Sequence, residues 1–184
     1  MDNKRVEKII RELIIEIGED PTREGLKDTP ARIAKAYKEI FEGYDSNSEL
    51  SVQFSEDSEV VIAKDIQFYS MCEHHMLPFF GKIQIPYAPN GRVFGISKLV
   101  RLVEKYSKRL QIQERLTKNI ADELYSHGVK GVAVMAEAEH LCMKMRGVKN
   151  DARVLSSAFR GIYEKQNQKE EIVRIIQNRP LDPV

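Results

Sequence analysis

Residues 70 to 80, SMCEHHMLPFF, set a cysteine, a glutamate and two histidines side by side and then close them off with Leu77, Pro78, Phe79 and Phe80. Cys72 and His75 have the C-x-x-H spacing with which a tight turn brings a thiolate and an imidazole onto one tetrahedral ion. About seventy residues later, AEHLCMKM carries His140 and Cys142. On an extended strand these two point to one face while Leu141 points away, so they act at one site. Cys142 is then a third ligand, one coordination position is left for water, and the set has the form of a catalytic zinc site. His74 and His140 remain beside the metal as groups that exchange protons near neutral pH. A closed structural zinc, with His140 as fourth ligand, fits the same spacing. A lone C-x-x-H is a weak signal, and a buried cysteine is more often a small core residue than a ligand. The argument for metal is that both cysteines of the chain converge with two or three of its four histidines.

Other residues suit an anion. In GISKLVRLVEKYSKRLQIQERLT a helix opens at Ser97, with Lys98 and Arg101 in its first turn and a half. Free N–H groups at a helix start, with two cations beside them, match a phosphate. Further on, Gln113 and Glu114 stand together. A buried carboxylate accepts two N–H groups of a guanine edge, and a glutamine amide donates to a carbonyl. Chemistry alone leaves both open, because most Lys and Arg on a helix form its solvated face and QIQERLT reads equally as an exposed helix start.

The elements that must position these residues follow from periodicity. Val6, Ile9, Ile10, Leu13, Ile14 and Ile17 recur at helical spacing and predict one amphipathic helix ending near Gly18. DTPARIAKAYKEIFEGY predicts a second, with Thr29 as cap, Pro30 at the first helical position, Ile33, Tyr37, Ile40 and Phe41 inward, and Gly43 as stop. Residues 45 to 59 are polar, lack period and read as a connector. EVVIAKDIQF and GKIQIPY predict strands, the second with Ile83, Ile85 and Tyr87 on one side. Two helices follow, one capped by Ser97 with Leu99, Leu102, Val103 and Tyr106 inward, the other with Leu116, Ile120 and Leu124 inward and Gly128 as stop. VKGVAVMAEAEHLCMKM predicts one long strand that carries Cys142 as well as His140, and KEEIVRIIQ a last short helix.

A chain of 184 residues, 42% hydrophobic, suffices for one sizeable core. Its 29 basic and 28 acidic residues nearly balance, so no global field draws it to nucleic acid or to an anionic membrane, and any basic site is local. The N-terminal stretch is charged throughout, with no apolar run of signal-peptide or membrane-span length, and the expected location is the cytoplasm. In such a reducing compartment Cys72 and Cys142 are expected to hold metal or do chemistry rather than form a disulfide.

Taken together, SMCEHHMLPF, GISKLVRLVEKYSKRLQIQERLT and AEHLCMKMRGV, in that order and preceded by GEDPTREGLKDTPARIAKAY, closely resemble GTP cyclohydrolase I over about residues 18 to 163. The resemblance implies an α+β tunnelling fold: an antiparallel sheet with two helices on one face (56–184) after an N-terminal helical segment (1–55), assembled into a toroidal homodecamer. It implies conversion of GTP and water to 7,8-dihydroneopterin triphosphate and formate, the first step of folate and tetrahydrobiopterin synthesis, in sites at subunit interfaces. By matching position the zinc (Zn2+) ligands are Cys72, His75 and Cys142, and the acid/base pair is His74 and His140, with Ser97 near the second. Gln113 and Glu114 resemble the family's guanine-recognition pair; Lys98, Arg101, Arg146, Arg32 and Lys35 resemble its triphosphate contacts. One stretch departs from the pattern: where many members carry Ser-x-Thr-x-Thr, this chain has Ala152, Val154 and Ser156. A related tunnelling-fold enzyme acting on another pterin or a deazapurine would also keep Gln113 and Glu114. A silent zinc scaffold would have no use for His74 or His140, and both are present.

Overall fold

The computed structural model describes residues 1–46, 50, 53–56 and 58–177. In chain order its elements are α1 (Asn3–Glu16), α2 (Thr29–Ile40), β1 (Gln53–Ser55), β2 (Val61–Cys72), β3 (Pro78–Ala88), β4 (Arg92–Phe94), α3 (Ile96–Ser107), β5 (Leu110–Gln111), α4 (Gln113–Ser126), β6 (Gly131–His140), α5 (Leu141–Lys144), β7 (Val154–Gly161) and α6 (Gln166–Gln177). The main sheet has five strands in the order β5-β2-β3-β6-β7. Neighbours from β2 to β7 run antiparallel, and only the two-residue β5 adds in parallel, beside the end of β2. This is an α+β architecture, consistent with the expected tunnelling fold apart from that parallel edge.

Strand alternation decides which side chains reach the core. On β6, Val132, Val134, Ala136 and Ala138 pack with Leu99, Leu102 and Val103 of α3 and Leu116, Ile120 and Leu124 of α4. Ala133 and Met135, of opposite parity, meet Ile172 and Ile176 of α6 on the other face. Burying each of the larger of these side chains, Val, Leu, Ile and Met, contributes about 1.5–3 kcal/mol, so the register is strongly specified. On β2 the inward set begins with Val61 and Ala63 and resumes with Ile66 and Phe68. The change of parity is a bulge: Ala63 pairs with Ile85 and Ile66 with Ile83, which leaves one extra residue on β2, and Asp65 there has φ 57°. That extra residue turns Cys72 toward the core rather than toward solvent.

Several expectations are corrected in detail. Helix α1 forms as its spacing predicts, but only Ile10 and Ile14 are buried, while Ile9, Leu13 and Ile17 are 53%, 52% and 68% exposed. Helix α2 starts at Thr29 itself with Asp28 before it, and it buries Pro30 and Ala34 rather than the Ile33, Tyr37, Ile40 and Phe41 stripe. Gly43 is no simple stop. It lies in a 3-10 turn, Glu42–Tyr44, pressed so closely on α3 that a Cβ would come 2.5 Å from the Lys105 oxygen. Gly95, not Ser97, occupies the cap position of α3, because the helical hydrogen bonds already begin with the Lys98 N–H donating to the Gly95 oxygen. Within the expected connector, Gln53–Ser55 pairs with Arg92–Phe94; 47–49, 51–52 and 57 lie outside the described residues, as does the expected domain end, 178–184.

The bulge should be sensitive to side-chain shape at one position. Asp tolerates the left-handed conformation at Asp65, whereas a β-branched residue does not. Asp65→Val is expected to cost about 1–2 kcal/mol in urea unfolding, and Asp65→Gly to be near neutral; equal losses from both would mean that backbone conformation is not what Asp65 supplies.

Candidate metal and acid-base site

Three chain segments meet at one end of the sheet. The first is the β2–β3 turn, which closes when the Met76 N–H donates to the Cys72 oxygen (2.8 Å) and the Cys72 N–H to the Leu77 oxygen (2.9 Å), with Met76 at φ 51°. The second is β5 and the start of α4. The Glu73 N–H donates to the Gln111 oxygen at 3.0 Å, and the Glu73 carboxylate takes both arms of the Arg115 guanidinium. That guanidinium holds the Glu73 carboxyl below the usual range. Sequence reasoning passed over this clamp, since a Glu and an Arg 42 positions apart carry no periodic signal.

The third segment is the end of β6 with α5, and here the structure corrects the long-strand expectation. β6 stops at His140, and Cys142 lies in the helical turn Leu141–Lys144, where the Met145 N–H donates to the Leu141 oxygen. Leu, Met and Lys are good helix formers, and no β-branched residue opposes them. Cys142 still arrives: the ligand atoms of Cys72, His75 and Cys142 all lie within 4.8 Å of one another. Burial first, and then the neighbouring Cys72 sulfur, push the Cys142 thiol up. Two facing sulfurs with an imidazole form a soft donor set whose thiolates a divalent cation would stabilise, so these residues fit zinc.

Two of the other three histidines, His74 and His140, stand near this cluster. His74 Nδ1 is 3.8 Å from the Cys72 sulfur, and its ring is exposed. His140 is half-buried, stacked on Phe79 with ring centroids 4.7 Å apart and planes 2° from parallel. Phe79 is its cross-strand partner in the register of β3 and β6. Burial lowers the His140 pKa below the ordinary histidine value, opposed by the Glu114 charge.

The chain as a whole is similar to known proteins. A family model described as GTP cyclohydrolase I matches residues 6–177. A GTP cyclohydrolase 1 of Hyperthermus butylicus is 50% identical over 186 residues, covering 100% of this chain and 96% of its own. One from Desulforamulus reducens is 52% identical over 170 residues, with 89% and 91% covered, and one from Clostridium kluyveri 48% over 184 residues, with 95% and 100% covered. The chain belongs to the GTP cyclohydrolase I family. GTP cyclohydrolase activity follows from that membership over nearly the whole chain.

Not every residue that the GTP cyclohydrolase I resemblance singles out is brought to the cluster within one chain. Arg146 follows α5 and is near enough for its charge to act on Cys142. Ser97, Lys98 and Arg101 belong to the first half of α3, which begins just after Phe94, packed on Tyr87. Tyr87 lies nine residues along β3 from Pro78, about 30 Å at ~3.3 Å per residue, so this end of α3 is far from Cys72. Arg32 and Lys35 are exposed on α2, with Arg32 paired to Asp28 at 3.5 Å. Glu114, expected as a buried carboxylate, is exposed in the single chain beside Lys118, Arg160 and Lys169. Only 1% of the surface of Gln113 is exposed, and both its amide nitrogen and its amide oxygen have partners within the protein.

Metal binding is expected at about one zinc per chain, with loss of metal in both Cys72→Ala and Cys142→Ala. Because thiols must ionise to ligate, zinc should release protons on binding and be held less tightly as pH falls. Elemental analysis and pH-stat titration check this; full metal in either variant removes that cysteine from the ligand set.

Proposed function

We propose that the protein hydrolyses GTP and rearranges the product to 7,8-dihydroneopterin triphosphate with release of formate, feeding folate or tetrahydrobiopterin synthesis in the cytoplasm. The observation that carries this reading is the convergence of Cys72, His75 and Cys142 on one point with His74 and His140 beside them, in a chain of this family. Cys72, His75 and Cys142 would hold zinc, whose contribution when bound is Lewis acidity that makes water nucleophilic near neutral pH. Purine C8 is a poor electrophile, and a proton delivered to N7 raises its reactivity. His74, exposed at the cluster, is the donor for that step. Opening and rearranging the ribose requires further proton transfers, which fall to His140 with Ser97.

Glu114 would read the N1 and 2-amino donors of guanine, while Lys98, Arg101, Arg146, Arg32 and Lys35 would hold the triphosphate. The replacement of family hydroxyls by Ala152 and Val154 removes side-chain donors from that region. Assembly into a toroidal homodecamer is part of this reading. Two observations support association with further copies, though not their number: the uncovered Ile9, Leu13 and Ile17 on α1, and the distance between Cys72 and the start of α3, which a neighbouring subunit would bridge. No described helix is long and apolar enough to cross a membrane.

Incubating the purified protein with GTP should yield formate and a fluorescent pterin, and no formate would refute the reaction. His74→Ala is expected to keep zinc, GTP affinity and melting temperature while formate release drops about a hundredfold or more; metal or stability lost in step with activity would make His74 structural. Adenine lacks the donors that Glu114 requires, and a carboxylate enclosed against a bound purine without a partner costs about 1–3 kcal/mol or more. ATP is therefore expected to compete at least about fivefold more weakly than GDP in an inhibition assay.

A further inference from the structure

Gln113 opens α4, yet its side chain runs inward, between β6 and β7. Its Nε2 donates to the Ala136 oxygen at 2.8 Å and to the Val154 oxygen at 2.9 Å. A primary amide has two N–H donors, and both are spent. The remaining atom, Oε1, lies 2.8 Å from His140 Nε2. Turning the amide over would set its oxygen against two carbonyl oxygens, so the orientation is fixed by chemistry. Oε1 can only accept, and His140 Nε2 must therefore carry a hydrogen whether the ring is neutral or charged. The Phe79 stack fixes the plane of the same ring.

We infer that Gln113 is a positioning residue that locks His140 as the Nε2–H tautomer, so that Nδ1 is the ring atom that exchanges protons with the substrate. The inference rests on the proposed role of His140 and deepens it. It also reassigns Gln113: an amide already bonded on every donor has none left for a guanine carbonyl. The departure at Val154 leaves the arrangement intact, because Val154 contributes its backbone oxygen, not its side chain. Ser156, the hydroxyl that is retained, donates from Oγ to the Gln113 backbone oxygen at 3.4 Å and ties β7 to the same residue.

Only four histidines occur in the chain, so ring-15N labelling gives a tractable spectrum. In the zinc-loaded enzyme at mildly alkaline pH, with the His140 signals identified by their loss in His140→Asn, solid-state 15N spectra should show Nε2 protonated and Nδ1 bare. An Nδ1–H ring, or a mixture of tautomers, overturns the inference. Gln113→Met, close in shape but without acceptor or donors, should keep its zinc and a GTP KM within a few-fold of the parent. Its kcat should fall by about a hundredfold or more, and His140 should become a tautomer mixture. A rise in KM with kcat preserved would return Gln113 to guanine recognition and overturn the proposal. The spectrum of the unaltered enzyme decides the tautomer even if Gln113→Met does not fold. Absence of formate from the unaltered enzyme would refute the reaction itself, whereas an Nδ1–H ring in an active enzyme refutes only this inference.

Discussion

The site depends on a single constraint: the main sheet must bury one face beneath α3 and α4, and strands alternate with period two. Phe68, Phe79, Ala138 and Cys72 are all members of the cluster formed on that face. Followed to the ends of their strands, the same rows bring Cys72, Phe79 and His140 to the rim of the core. There the hydrophobic cover thins and polar groups become affordable. The bulge at Asp65 belongs to this constraint, because without the extra residue the row holding Phe68 and Cys72 would face the other way.

Two kinds of polar contact hold the rim, and they differ in what they contribute. The pair between Glu73 and Arg115 is solvent-exposed, and exposed ion pairs add little to stability. Its effect is geometric, since it ties the turn that carries Cys72, His74 and His75 to the helix that carries Gln113 and Glu114. The Gln113 contacts are buried, and an unmade buried hydrogen bond costs about 1–3 kcal/mol. Here the Ala136 and Val154 oxygens, the amide and the His140 ring are satisfied together, so moving any one of them leaves another unpaired.

A single chain supplies the metal cluster and its histidines but not all of the charge that a triphosphate needs at one place. The first half of α3 holds its cations away from Cys72, Arg32 and Lys35 of α2 stand in solvent, and the apolar side of α1 is left uncovered. A fold that buries Ile10 and Ile14 while leaving Ile9, Leu13 and Ile17 in solvent stops short of satisfying the hydrophobic pattern written into that helix.

Local signals were sufficient for α3 and α4, because an amphipathic stripe such as Leu116, Ile120 and Leu124 specifies both the element and the side it buries. The same holds for the C-x-x-H pair, whose four-residue span confines it to one turn. Alternation likewise marked Ile83, Ile85 and Tyr87 as core. Tertiary structure decided what depends on distance along the chain. Cys142 reaches the cluster from a helical turn rather than from the strand, because α5 begins where the pairing of β6 ends at His140. Glu73 met Arg115, and Phe79 met His140, through strand register and packing that no local pattern encodes. Gln113 shows the difference most plainly. Its sequence position at a helix start suggests a group free for substrate, but its partners are carbonyls 23 and 41 residues away, and only the assembled sheet brings them within hydrogen-bond reach.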